Sequence, residues 1–182
     1  MEYRSIAKLQ RFIPLSTLLK YGFNWSPMYR RSSGKICFVS ADLHKVCIDI
    51  PLSWKNVNYV GTMFGGSMLA ATDPIFMVQL INLLGDRFVV WDKSVEMRFR
   101  RPARSTLSCV FEFSAAELEE IRASVSEHGE IDWNKNIELT DREGEVVATG
   151  TKTLYVADKE YQKQKRQKAA ADRASRRAQV QA

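Results

Sequence analysis

Apolar and polar positions repeat with two periods along this chain, and each change of period marks an element. Residues 60–84 (VGTMFGGSMLAATDPIFMVQLINLL) form an almost unbroken apolar run in which Asp73 is the sole ionisable group. That length suits a membrane span. The central Asp73-Pro74 pair, the amides of Gln79 and Asn82 and strand-like flanks favour the core helix of a globular protein instead. Gly65-Gly66 mark its entry and Gly85-Asp86 its stop. Upstream, residues 35–40 (KICFVS) and 45–50 (KVCIDI) are short apolar runs parted by Ala41-Asp42-Leu43-His44, which predicts a hairpin. Downstream, strands are predicted over 88–100 and 105–113, parted by the corner Arg101-Pro102-Ala103-Arg104. Val95, Met97 and Phe99 alternate there with Glu96, Arg98 and Arg100, so one face is buried and one wet. Residues 115–126 predict a helix or an irregular excursion. Strands over 136–140 and 145–156 flank the turn Asp141-Arg142-Glu143-Gly144. Two strands, one long helix and four strands make an α+β protein whose single antiparallel sheet must curl around the helix.

The ends have a different character. Residues 5–21 predict two short amphipathic helices split at Pro14, with charges interrupting any export-signal pattern. The stretch from Asn24 to Gly34 reads as a loop. Within it Ser33-Gly34-Lys35 is no phosphate loop, because the upstream Gly and the following Ser or Thr are missing. The expected division is an N-terminal helical segment (1–24), a folded domain (25–157) and a basic tail (158–182), helical or disordered. Of the net charge of +6, the tail carries +5, through Lys159, Lys163, Lys165, Arg166, Lys168, Arg173, Arg176 and Arg177 against Asp158, Glu160 and Asp172. The remaining 19 basic and 18 acidic side chains leave the body nearly neutral. A solvated tail is the expectation, and no motif points to nucleic acid.

Composition narrows the chemistry. Three widely spaced cysteines (Cys37, Cys47, Cys109) and two histidines (His44, His128) supply neither a disulfide framework nor a metal site. They point to a reducing, cytoplasmic setting and leave little material for a Ser-His triad.

Three pieces together resemble the hot-dog fold, in its acyl-CoA thioesterase-like superfamily (the phenylacetate-pathway thioesterase branch and its thioesterase-like relatives). They are Asn58…Gly61…Phe64-Gly65-Gly66…Asp73, the corner Arg98-Phe99-Arg100-Arg101-Pro102-Ala103, and the hairpin Asp141-Arg142-Glu143-Gly144-Glu145-Val146-Val147-Ala148. The family pattern sets an Asn six positions before His-Gly-Gly and an acid nine positions after the His. Here both spacings are kept, with Phe64 in the place of the His. The resemblance implies Asp73 as base or nucleophile, Gly65 as backbone oxyanion donor and Asn58 as an orienting group. Phe64, Gly66, Arg101 and Arg104 would touch substrate. Coenzyme A would enter as part of the substrate, with no separate cofactor and no metal.

Geometry adds a partner. A glycine at a helix start leaves an N–H free to meet a developing oxyanion. Asp73 lies eight residues on, about 12 Å further along the helix, so one carbonyl carbon cannot reach both groups of one chain. A second subunit must lend its Asp73, which predicts a two-fold homodimer or a dimer of dimers (a homotetramer). Structural roles fit the same residues: Asp73-Pro74 as a cap restarting a broken helix, Gly65-Gly66 for close packing, Asn58 for loop backbone groups and the arginines as a wet strand face. Phe64 cannot organise water or bond a thioester, so two functions stay open: a thioester hydrolase and a non-catalytic acyl or acyl-CoA binder.

Overall fold

The computed structural model describes residues 13–180. The chain opens with helices α1 (Leu15–Trp25) and α2 (Pro27–Arg31), then strands β1 (Lys35–Val39) and β2 (Lys45–Ile50) and the long helix α3 (Gly65–Leu84). Strands β3 (Phe88–Phe99) and β4 (Leu107–Glu112), helix α4 (Ala115–His128), strands β5 (Glu130–Thr140) and β6 (Val146–Asp158) and helix α5 (Lys159–Val180) complete it. The six strands form one antiparallel sheet in the order β1-β2-β4-β5-β6-β3. The sheet curls around α3, giving the hot-dog arrangement that the motifs imply.

The core forms because α3 supplies apolar groups on most of its circumference. Met68, Ala71, Ile75, Phe76, Leu80 and Leu84 are buried against Ile48, Ile50, Leu107, Phe111, Leu139, Leu154 and Val156 of the sheet. The Phe76 ring meets Phe111 and Phe113 edge-on, with centroids 4.8 and 5.6 Å away. Ten residues of α3 are buried, so the apolar run is a core helix and not a span. Gln79 enters this core by donating to the carbonyl of Leu43 at 2.7 Å.

Several local expectations are corrected. The helix is not broken and restarted at Asp73-Pro74; α3 runs through Pro74 without interruption. Proline frees carbonyls in the preceding turn, and buried Tyr29 donates its hydroxyl to Ala71 O there at 3.1 Å. The expected loop 24–34 holds the end of α1 and all of α2, because Pro27 occupies the first helical position after extended Ser26. Asn24 ties this segment to β1, donating to Ile36 O at 2.9 Å and accepting from Ile36 N at 2.8 Å. Residues 115–128 are a helix, capped by Ser114, whose Oγ accepts from Glu117 N. Strand β5 starts six residues earlier than expected, since β6 pairs it from Glu130 onward. The expected helix before Pro14 falls largely on residues 1–12, outside the described residues.

Candidate functional site

The doorway to α3 is assembled by two asparagine-stapled turns. Asn56, buried, accepts from Ser53 N at 2.8 Å and donates to Pro51 O at 2.9 Å, while its own carbonyl accepts from Phe64 N at 2.7 Å. Asn58 closes the next turn: its Oδ1 accepts from the N–H groups of Val60 and Thr62, and its Nδ2 donates to Thr62 Oγ1 at 2.9 Å. Gly61 serves this turn at φ +77°. Met63 N then donates to Ala103 O at 2.9 Å, joining the doorway to the Arg-Pro-Ala corner 40 residues away in sequence.

Phe64 is the N-cap, extended at φ −65° and ψ 126°, and offers no side-chain cap to α3. Neither Gly65 N–H nor Gly66 N–H has an acceptor among the described residues. Each glycine is covered by an aromatic ring instead. A Cβ on Gly65 would lie 2.7 Å from the tip of the Phe99 ring, and one on Gly66 would run into the Phe64 ring. Both rings are more than half exposed and sit over the helix dipole's positive end.

Asn58, Gly65 and Arg101 line one depression of about 460 Å³, together with Thr62, Met63, Met68, Phe99, Arg100, Pro102 and Ala103. Phe64, Gly66, Asp73 and Arg104 do not line it. Arg101 is engaged within the chain, donating to Val146 O at 3.0 Å and to Glu145 Oε2 at 2.9 Å. Arg100 donates to Thr149 Oγ1 at 3.3 Å. Arg104 is exposed and has no ion pair among the described residues.

Asp73 sits two turns along α3 in an arrangement that sequence reasoning missed. Lys152 of β6 is 1% exposed and brings Nζ to 2.6 Å from Asp73 Oδ1 and 3.0 Å from Asp92 Oδ2 on β3. A buried ammonium needs such compensation. Burial pushes the Asp92 carboxyl above its ordinary range, against the pull of Lys152 and with the nearby Asp73 charge adding to the rise. Its second oxygen is buried without a partner among the described residues. Asp73 itself is half exposed. The signal was in the strand period: Lys152 shares parity with Ala148, Leu154 and Val156, all inward and buried.

The side of α3 not covered by the sheet carries Gly66, Leu69, Ala70, Asp73 and Met77, at helical spacing and only partly buried or exposed. Among the described residues strand β3 pairs only with β6, which leaves its other edge open along twelve residues. Among the described residues no three His, Cys, Asp or Glu side chains cluster as metal ligands, and the three cysteines are free thiols.

Comparison with known proteins agrees with this architecture. Residues 20–156 match the family described as "Domain of unknown function (DUF4442)". No curated protein matches the sequence. Among solved structures, PA5026 of Pseudomonas aeruginosa, described as a protein of unknown function and probable thioesterase, is 24% identical with a TM-score of 0.69. The match covers 80% of this chain and 98% of that one. OLEI01261 of Chlorobaculum tepidum, of unknown function, is 14% identical with a TM-score of 0.64, over 79% and 94% of the two chains. HI1161 of Haemophilus influenzae, a thioesterase, is 14% identical with a TM-score of 0.50, over 87% and 92%.

Proposed function

The chain belongs to the DUF4442 family and has a thioesterase-like hot-dog fold, and from its site we infer that it hydrolyses an acyl-CoA thioester at a centre shared by two subunits. The observation that carries this reading is the pair of N–H groups at Gly65 and Gly66 that have no acceptor among the described residues, at the start of a buried helix where Gly65 lines a depression. A thioester oxygen received there gains the helix dipole and two donors as it becomes negative. Asp73 of the same chain, about 12 Å along the helix, is out of reach, so the acting carboxylate comes from a second copy. The uncovered side of α3 and the open edge of β3 offer that copy a surface. A homodimer, or a dimer of such dimers, then holds equivalent centres.

In this scheme the partner's carboxylate takes a proton from water and the hydroxide adds to the carbonyl carbon. The tetrahedral adduct then collapses by C–S cleavage, and the proton passes to the leaving thiolate. Lys152 acts through Asp73, fixing its rotamer. Asn58 keeps the doorway turn closed, and Phe64 and Gly66 flank the acyl group. Arg101 lies at the mouth, and Arg104 stands apart from it. Coenzyme A arrives with the substrate, and the setting is cytoplasmic.

Release of free thiol from short-, medium-, long-chain and aromatic acyl-CoAs tests the reading. Asp73→Asn should lower turnover by about 100-fold or more, the range for losing a positioned general base. Equal activity of the two proteins overturns the mechanism. A second reading, a non-catalytic acyl-CoA binder, is favoured by Phe64, whose ring covers Gly66 and offers no hydrogen bond. It predicts a ligand-dependent rise in melting temperature with no thiol released.

A further inference from the structure

Away from the doorway, two adjoining depressions of about 330 and 490 Å³ share Arg30, Ser33, Trp54 and Lys55 in their walls. Both volumes fall in the roughly 300–1,000 Å³ range of small-molecule sites. Lys35 completes the first wall and Arg31 the second, and no Asp or Glu lines either among the described residues. Residues 1–157 hold 19 basic and 18 acidic side chains, so four cations without a carboxylate depart sharply from a neutral body. None of Arg30, Arg31, Lys35 and Lys55 forms an ion pair among the described residues, whereas Lys45, Lys93, Lys135 and Lys152 all do. Trp54 is 84% exposed with Lys55 Nζ 5.6 Å from its ring centroid.

The cleft is built rather than incidental. Gly34 is buried so tightly that a Cβ would lie 2.9 Å from both Ala71 Cβ and Tyr29 Oη. Ser33 beside it holds φ at +67°, a strained value for a residue with a side chain. Asn24, which ties α1 to β1, also lines the first depression. Trp54 and Lys55 belong to the same connection between β2 and α3 that carries Asn58 and leads into Gly65.

An unopposed cationic wall takes phosphate oxygens, and an exposed indole takes a flat ring on its face. We propose that the cleft between α2 and the Ser53–Lys55 turn binds a single nucleotide bearing more than one phosphate, with its base on Trp54 and its phosphates on Arg30, Arg31, Lys35 and Lys55. The two depressions are the size of a small-molecule site, which favours one nucleotide over a polynucleotide strand. Identifying that nucleotide as the far end of a coenzyme A thioester rests on the hydrolase reading; the cleft itself does not.

Calorimetric titration of the full chain with adenosine 3′,5′-bisphosphate, coenzyme A, inorganic pyrophosphate and a short oligonucleotide tests the assignment. The bisphosphate and coenzyme A should bind, and more weakly as salt rises. Trp54→Ala should weaken the bisphosphate about tenfold, in line with the loss of one base stack. Arg30→Glu with Lys55→Glu should weaken it at least as much, circular dichroism confirming that both variants fold. No binding of the bisphosphate, equal binding by the variants, pyrophosphate binding as tightly as the nucleotides, or tighter binding of the oligonucleotide each overturns the proposal. Acyl-pantetheine, which lacks the nucleotide, separates the two readings. If it is cleaved while the bisphosphate fails to bind, the cleft assignment falls and hydrolysis stands; if the bisphosphate binds as described and no thioester is cleaved, the reverse holds.

Discussion

Lys135 on β5 and Lys152 on β6 are register partners on the inner face of the sheet, yet their surroundings differ in kind. Lys135 bonds both oxygens of Glu117, at 2.7 and 2.8 Å, and its ammonium lies 4.4 Å from the Phe113 ring centroid and 5.3 Å from that of Phe76. Trp133 Nε1 donates to the same carboxylate at 2.8 Å. Every charged atom of that group has a partner. Lys152 instead divides its ammonium between Asp73 and Asp92, leaving one Asp92 oxygen buried without a partner among the described residues and Asp73 half exposed. One network is closed and serves the core. The other ends at the uncovered side of α3, where a carboxylate is held in place with room for something to meet it.

Breaking the cations should separate the two by the largest margin. Lys152→Ala leaves two facing carboxylates and should cost about 3–5 kcal/mol in urea unfolding, the range for a buried ion pair losing one partner. Lys135→Ala should cost less, about 2 kcal/mol, because Glu117 keeps the Trp133 donor. The opposite order would undo the comparison. Acidity sharpens it next. The Asp92 carboxyl is raised in the folded protein, so folding favours its protonated form. That contribution is present below the unfolded value, about pH 4, and is lost as pH rises through the folded value. The melting temperature of Asp92→Asn should therefore gain on the parent from about pH 4 upward; a gap constant from pH 3 to 8 would contradict the assigned cause. The smallest stability change belongs to Asp73→Asn. Asn keeps an acceptor oxygen for the Lys152 ammonium, which also retains Asp92, so it should cost about 1 kcal/mol, and its expected loss of turnover would not reflect unfolding.

Much of this was legible along the chain, for identifiable reasons. The limits of α3 were readable because an apolar run bounded by Gly65-Gly66 and Gly85 has few alternatives, and Gly85 does sit at φ +81°. The start of β5 was not, because Asp132 and Asn134 are poor strand formers and Lys135 takes an inward place between Trp133 and Ile137, so only pairing with β6 makes it a strand. The helix α2 was hidden in a stretch rich in turn formers, and Tyr29, buried under α3, gives it an anchor that no local pattern reveals. At the site, Asn58, Gly65 and Arg101 line one depression, while Arg104 stands apart and Arg101 is engaged by Glu145. Phe99, whose ring covers Gly65, sat in a recognised motif without its contact being foreseen.

The sequence alone determined what short-range chemistry controls: where glycine and proline punctuate the chain, which strand faces are apolar, and that one greasy helix needs a sheet around it. Tertiary structure decided which charges meet. Lys152 and Asp73 are separated by 79 positions, and Trp54 shares a cleft with Arg30 only because β1 and β2 fold the intervening chain back on itself. Local propensity acts over a turn or two of chain, whereas an ion pair or a cleft depends on closing long loops, and that closure is driven by the burial of the whole core.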